Sequence, residues 1–487
     1  MCARSFGASA ASCLLFLARM RNLSLLVSLL ALTACSVDDD EYQPSAPPEE
    51  TDSWEGGKED APSPGPEVPA AEQSADIGQF FMVDHYGVTA EGYADIRNKI
   101  KTKNLGAIIL WNPTNASGET LRTMLRGYSE VARLAGRDEL FFASDQEEAK
   151  TQRFSGAHGF TSLFSGSVLG DAAQRERICD LHARITAKEM ASTGMNMSLG
   201  TVSDVYTSDS GTRGMFRTRA IDSDPNIVGP CIVAMARAYA EEEHVVFITK
   251  HFPGLGNASG NTDVDASVHT RSNTKAAMER ELAPYRAASA AVTEADAWSH
   301  FGAMISHASY PILDASNTPA TLSSTILQTF MRGEASEQLA LGHDKDGRSP
   351  TFAGMGFRGL AVSDAFWTWG ATRGLTPIQR QRLMARAFLA GIDILMIAKS
   401  DFTGAWGYFQ LVHANRMPEA EKQELVNATG LGSWDEVRAR FEQRIQDSAA
   451  RIHQVKSTIG RSTTFTGSGP ARDASGALAG EYRSLGS

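Results

Sequence analysis

The sequence predicts a (β/α)8 barrel with insertions, built as a single catalytic domain. Short apolar runs recur through the middle of the chain, amphipathic stretches separate most of them, and polar residues follow directly on several of the runs. Strands buried on both faces read as near-continuous apolar runs, because helices cover a parallel sheet on either side. Eight such runs with helices between them fit a closed barrel better than any other α/β layout.

Taken in order, the runs are Gln79–Val83, Ala107–Trp111, Leu140–Ala143, Met195–Leu199, Val245–Thr249, Ala303–Ile305, Leu360–Val362 and Ile392–Ile397. The clearest helix between them places Leu121, Met124, Leu125, Tyr128, Val131 and Leu134 on one face at helical spacing. Another runs from Leu383 to Leu389. A doubly wound sheet is the alternative, but no glycine-rich phosphate turn follows the first run.

Composition narrows the class. The 487 residues carry a net charge of −11, with no basic stripe to neutralise phosphates, so a nucleic-acid partner is not expected. Five cysteines are too few and too scattered for a disulfide framework or a cysteine-based zinc site, and Cys179 and Cys231 read as unreactive helix-face residues. Nothing calls for a metal or an organic cofactor, and a monomer is expected.

The charge is unevenly placed. Residues 36–76 hold thirteen acidic residues against one lysine, and seven of the 18 prolines. Ahead of them, Arg19 and Arg21 precede the apolar run Leu23–Leu32, which is too short for a permanent span and suits an export signal. The run leads into Leu32-Thr33-Ala34-Cys35, which resembles the lipobox of bacterial lipoproteins. That resemblance implies a lipid on Cys35 and a membrane-anchored place in the cell envelope; a cleavable signal with an incidental cysteine is the alternative. The expected organisation is a signal over 1–34, an acidic proline-rich disordered tether over 35–76, the barrel over 77–460 and a flexible tail over 461–487.

The chemistry falls at strand ends. Asp145 follows the third run, Asp204 lies beyond the fourth, Lys250-His251 closes the fifth, Ser306-His307 the sixth and Ser363-Asp364 the seventh. In a parallel barrel these ends meet on one face, where active sites are built. No HExxH, GxSxG or Walker sequence is present, and Gly342–Gly347 lacks the closing glutamate of a calcium loop and reads as a surface turn. Carboxylates around a polar pocket are what glycoside hydrolysis needs. His307 reads as a hydrogen-bonded wall residue, Asp204 as either a site residue or a helix cap, and Asp393 as a support for loop backbone at the barrel rim.

These residues carry a family resemblance. Lys250-His251-Phe252-Pro253-Gly254-Leu255-Gly256 resembles the KHFPGHG signature of glycoside hydrolase family 3, in its single-barrel β-N-acetylglucosaminidases. Asp145-Gln146-Glu147 with Gln152-Arg153 is similar to DQEGGRVQR, Arg219–Pro225 to RSFGSDP, Gly359–Asp364 to GVVFSDD, and Gly391–Met396 to AGADMLLM. The resemblance implies that Asp364 is a nucleophile forming a glycosyl-enzyme intermediate. It also implies that Asp145, Arg153, Arg219, Lys250 and His251 bind the terminal sugar, with His307 beside them. Carboxylates accept sugar hydroxyls, and Arg and Lys supply the donors that orient a ring.

The general acid departs from the pattern. Where the family has Asp-Ser-His, this chain reads Asn261-Thr262-Asp263, so Asp263 takes the histidine's place, with Asp265 and His269 as rivals. A carboxylic acid can serve if its pKa is raised, and an anionic base favours water over phosphate as acceptor. Glu148-Ala149 replaces Gly-Gly, Leu255 replaces the second histidine of the signature, and Ala365 replaces the acid after the nucleophile. The expected function is a retaining exo-β-N-acetylhexosaminidase acting on peptidoglycan fragments or chitin-like oligosaccharides. A β-glucosidase or β-xylosidase of the same family, and a non-catalytic sugar-binding lipoprotein, are the alternatives.

Overall fold

A computed structural model describes residues 68–86, 90–112, 117–148, 151–207, 216, 218–242, 244–292, 297–459 and 469–486. The expected export signal, Cys35 and most of the expected tether lie outside the described residues.

Eight parallel strands form the barrel: β1 Phe81–Tyr86, β2 Ala107–Asn112, β3 Phe141–Ser144, β4 Met197–Val202, β5 Val246–Phe252, β6 Phe301–Ile305, β9 Leu360–Ser363 and β10 Leu395–Ile397. Strands β7 Gln338–Ala340 and β8 Thr351–Ala353 make a separate antiparallel hairpin. Neighbours run β10-β1-β2-β3-β4-β5-β6-β9, and a parallel bridge between Val362 and Ile394 joins the two ends into a ring. All eight apolar runs are therefore strands. Most strands extend further toward their polar ends than the apolar runs, because ladder bonds continue past the last apolar side chain.

The outer helices are α1 Ala90–Lys103, α2 Gly118–Leu134, α3 Gly166–Asp171, α4 Arg175–Thr193, α5 Pro225–Glu242, α6 Lys275–Ala291, α7 Pro377–Ala390, α8 Phe402–His413, α9 Glu419–Thr429, α10 Trp434–Thr458 and α11 Leu478–Leu485. Helix α2 starts where Ser117 Oγ accepts the Thr120 N–H at 3.2 Å, and it buries Leu121, Met124, Leu125 and Tyr128 against the barrel. Helix α7 opens on a capping box between Thr376 and Gln379, with Pro377 at its first turn.

Four expectations change. Cys179 on α4 and Cys231 on α5 form a disulfide, with Cα atoms 5.4 Å apart, because the two helices pack side by side. Residues 68–76, expected at the end of the tether, are pinned to the barrel: Val68 is buried, and Ser74 exchanges backbone hydrogen bonds with the Gln410 amide at 3.0 and 2.9 Å. Residues 469–486 of the expected flexible tail fold against α4, since Tyr482 supplies the buried anchor that the Ser/Gly/Ala composition concealed. Asp393 accepts the Ala361 N–H as a backbone support would. It lies at the start of β10, however, fully buried among Arg332, Arg444 and Arg451.

Candidate active site

The turn after β3 builds the first wall. Gln146 and Phe154 bond each other in both directions, 2.8 Å from Nε2 to O and 3.0 Å from N to Oε1, which folds Arg153 back beside Asp145. The Arg153 N–H donates to the Asp145 carbonyl at 3.1 Å. Its guanidinium lies 3.7 Å from the Asp145 carboxylate and 4.5 Å over the Trp111 ring, which in turn meets Trp367 edge-on. From β5, Lys250 Nζ donates to Asp145 Oδ1 at 2.7 Å, to the Leu199 carbonyl at 2.8 Å and to Glu147. Arg219 grips Glu147 with Nε and Nη2, both at 2.9 Å. Glycine at position 200 makes room for this, because a Cβ there would lie 2.8 Å from Glu147 Cγ.

Glu147 is thus a hub that the motif reading quoted without assigning. Burial opposes its ionisation, but Arg219 and Lys250 outweigh that and hold its carboxyl far below the usual range. Its neighbour Glu148 is equally buried and meets Arg219 only at 4.0 Å, and burial together with the Glu147 charge pushes it well up. The turn therefore carries two adjacent glutamates whose carboxyls are pushed in opposite directions.

The second wall comes from β5 and the loops around it. Asp204 is not a helix cap: it accepts the His251 ring at 2.7 Å, the His251 N–H on both oxygens at 3.2 and 3.1 Å, and the Leu255 N–H at 2.6 Å. A carboxylate only accepts, so the His251 proton toward it sits on Nδ1, and Nε2 faces Asp364 Oδ2 at 4.0 Å. Among the described residues, the Asp364 carboxylate, just past β9, accepts a hydrogen bond from the Ala365 N–H at 2.8 Å.

The loop after β5 brings Asp263 into the same field. Burial raises its pKa and the Asp364 charge raises it further, while a Thr368 hydrogen bond, Arg219 and His251 act the other way. The rivals stay outside: Asp265 and His269 are exposed and tied into their own loop, Asp265 accepting the Asn261 N–H at 3.1 Å and His269 meeting Ser259 Oγ at 3.3 Å. His307, past β6, is buried with Nδ1 at 2.9 Å from Thr321 Oγ1, and its ring stacks flat on Trp369 at 4.2 Å. Burial lowers its pKa to about 3, so it is a neutral wall residue. The eight expected site residues therefore line one mouth at the strand C-termini. Among the described residues, the cluster with metal-ligand spacing, Asp76, Asp138 and His453, lies at the strand-start end instead.

Residues 74–428 match the model of the glycosyl hydrolase family 3 N terminal domain. The chain belongs to glycosyl hydrolase family 3. A β-hexosaminidase of Stenotrophomonas maltophilia (strain K279a) is 25% identical over 380 residues, covering 76% of this chain and 96% of that protein. One of Xylella fastidiosa (strain 9a5c) is 27% identical over 321 residues, covering 64% and 82%. The fold is similar to a family 3 β-N-acetylglucosaminidase from Paenibacillus sp. str. FPU-7, with a TM-score of 0.64 at 20% identity over 84% of this chain and 67% of that one. In this family 3 glycosidase, two of the departures serve the site through their backbone: Leu255 is buried and its N–H serves Asp204, and the Ala365 N–H serves Asp364.

Proposed function

We propose that this family 3 chain is a retaining exo-β-N-acetylhexosaminidase, releasing terminal N-acetylglucosamine from peptidoglycan fragments or chitin-like oligosaccharides. The observation that carries the reading is the pairing of Asp364, a carboxylate just past a strand C-terminus that among the described residues accepts only the Ala365 N–H, with Asp263, a carboxyl pushed toward its protonated form by burial and by the Asp364 charge. Asp263 gives its proton to the glycosidic oxygen as Asp364 attacks the anomeric carbon and the aglycone leaves. Asp263, now a base, takes a proton from water, which attacks the same carbon and frees Asp364. Asp145, Arg153, Lys250 and His251 hold the terminal sugar, and Arg219 aligns Glu147 beneath them. Asp263 standing beside Asp364 disfavours the reading in which the acid has been lost.

The enzyme works at the cell envelope, anchored through Cys35. The Cys179–Cys231 disulfide supports a compartment outside the reducing cytosol. Nitrophenyl N-acetylglucosaminide and nitrophenyl glucoside, assayed side by side, test the substrate. Faster turnover of the first, with a 5-fluoro glycoside adduct mapped to the Asp364 peptide, is expected; preference for the glucoside or an adduct elsewhere overturns the reading.

A further inference from the structure

We propose that residues 469–486 form a brace that sets the sugar-binding turn after β3, with Tyr482 acting through His182 as a positioning residue. The segment lies beyond the stretch matched by the family model, residues 74–428. It nevertheless reaches the back of the active site by two routes.

The first route is a polar relay. The Tyr482 hydroxyl accepts the Phe164 N–H at 3.0 Å and lies 2.9 Å from His182 Nδ1. With that N–H accepted, the hydroxyl is free to give its own proton to Nδ1, which leaves the His182 proton on Nε2. Burial keeps this histidine neutral, at about 4. The imidazole lies against the backbone carbonyl of Glu147 without closing a full hydrogen bond to it. Tyr482 is also within electrostatic reach of Glu148. One buried phenol thus reaches, through His182, the backbone that presents Glu147 to Lys250 and Arg219.

The second route is a clamp on the loop that carries Arg153. Ser475 Oγ donates to Glu189 Oε1 at 2.6 Å, and the same carboxylate accepts Thr161 through its N–H at 2.7 Å and its hydroxyl at 2.6 Å. The Arg472 N–H donates to the Gly159 carbonyl at 2.9 Å, and Arg122 holds the Gly469 carbonyl. The loop's other side is held by Gln152, which donates to the Thr161 carbonyl at 2.6 Å and accepts the Leu163 N–H at 2.9 Å. Residues 159–164 are therefore held between the terminal segment and the residue next to Arg153. The exposed Arg177–Glu481 ion pair adds little to this hold.

The activity arm of the test rests on the hexosaminidase reading; the second arm does not. In the full chain, Tyr482→Phe removes only the hydroxyl, and its effects are compared with those of Arg177→Ala. We expect Tyr482→Phe to raise KM for nitrophenyl N-acetylglucosaminide by roughly fivefold or more, with a smaller change in kcat. Amide hydrogen exchange in a peptide spanning 145–164 should speed up, and Arg177→Ala should change neither. Unchanged KM and unchanged exchange in Tyr482→Phe would overturn the brace. A wild type without turnover defeats the hexosaminidase reading alone, since exchange still decides the brace.

Discussion

Two aspartates at opposite ends of the barrel, Asp364 past the end of β9 and Asp393 at the start of β10, look alike in sequence and could not be more differently employed. Asp393 fills its oxygens with Arg332 and Arg444 at 3.0 Å, Arg451 and Ser448 at 2.8 Å, and the Ala361 N–H at 3.0 Å. Burial opposes its charge, but the three arginines hold its carboxyl far below the usual range. Among the described residues, the Asp364 carboxylate receives one backbone N–H, from Ala365. A saturated buried carboxylate is structural, because any new partner must displace an existing one. An unsaturated carboxylate at a strand C-terminus is available for chemistry.

The largest expected effect breaks that comparison directly. Asp364→Asn should cut kcat by on the order of 10³-fold or more while leaving thermal unfolding close to wild type. Asp393→Asn should do the reverse, lowering stability by about 3–5 kcal/mol because three arginines lose their counter-charge, with activity per folded molecule preserved. Denaturant titration beside initial rates separates the two; a stable, inactive Asp393→Asn would refute the division. Next in size, Asp263→Asn should slow hydrolysis of substrates with poor leaving groups by roughly 10²–10⁴-fold. It should barely affect the glycosylation step of dinitrophenyl glycosides, which need no protonation, and equal loss on both substrates would remove Asp263 from the acid role.

The sequence made the barrel legible because doubly covered strands admit almost no polar residue until their ends, and the polar residue that ends the run is the functional one. Asp145, Lys250, His251 and Asp364 were visible for that reason. Glu147 was visible as a letter of a motif but not as a hub, since Arg219 and Lys250 reach it from other loops and strands. Asp204 was ambiguous for the same reason: a lone aspartate after a strand caps a helix as readily as it holds a histidine. The Cys179–Cys231 bond depends on two helices facing each other across 52 residues of chain, which no local pattern encodes. The terminal segment was misjudged because composition averages over residues, whereas one tyrosine and one serine suffice to dock it.

The comparison sharpens at Glu281, on α6 behind the Phe252–Gly256 turn. Ser272 Oγ donates to its Oε1 at 3.3 Å, and burial followed by the Asp204 charge pushes its pKa up to about 8, with Arg280 and the Gly256 backbone partly opposing. The folded value exceeds the ordinary 4.5, so its contribution to stability is full below about 4.5 and is lost as pH rises through about 8. Wild-type unfolding temperature should therefore fall between about pH 4.5 and 8 and level off above that, while activity falls as pH rises through about 8 and a second negative charge forms beside the aspartate that holds His251. Glu281→Gln, which fixes the neutral form, should flatten the stability curve below about pH 8 and the activity curve around it. An unchanged alkaline limb in the variant would place the titrating group elsewhere.

The smallest effect is the most discriminating. Glu147 and Glu148 are adjacent, fully buried and chemically identical, yet Glu147 pairs closely with both Lys250 and Arg219 while Glu148 meets Arg219 only at 4.0 Å. If Glu148 is already protonated, Glu148→Gln changes neither the charge nor the volume of the turn, and kcat/KM should stay within about threefold of wild type. Glu147→Gln strips the shared counter-charge from two cations and should cost on the order of 10²-fold, chiefly in KM. Kinetics of the two variants at pH 6 and 8 measure this. Equal losses would mean that both carboxyls are ionised and that Arg219, 4.0 Å from Glu148, divides its charge between them. The turn after β3 would then be a balanced ion cluster like the one around Asp393, rather than a half-filled site.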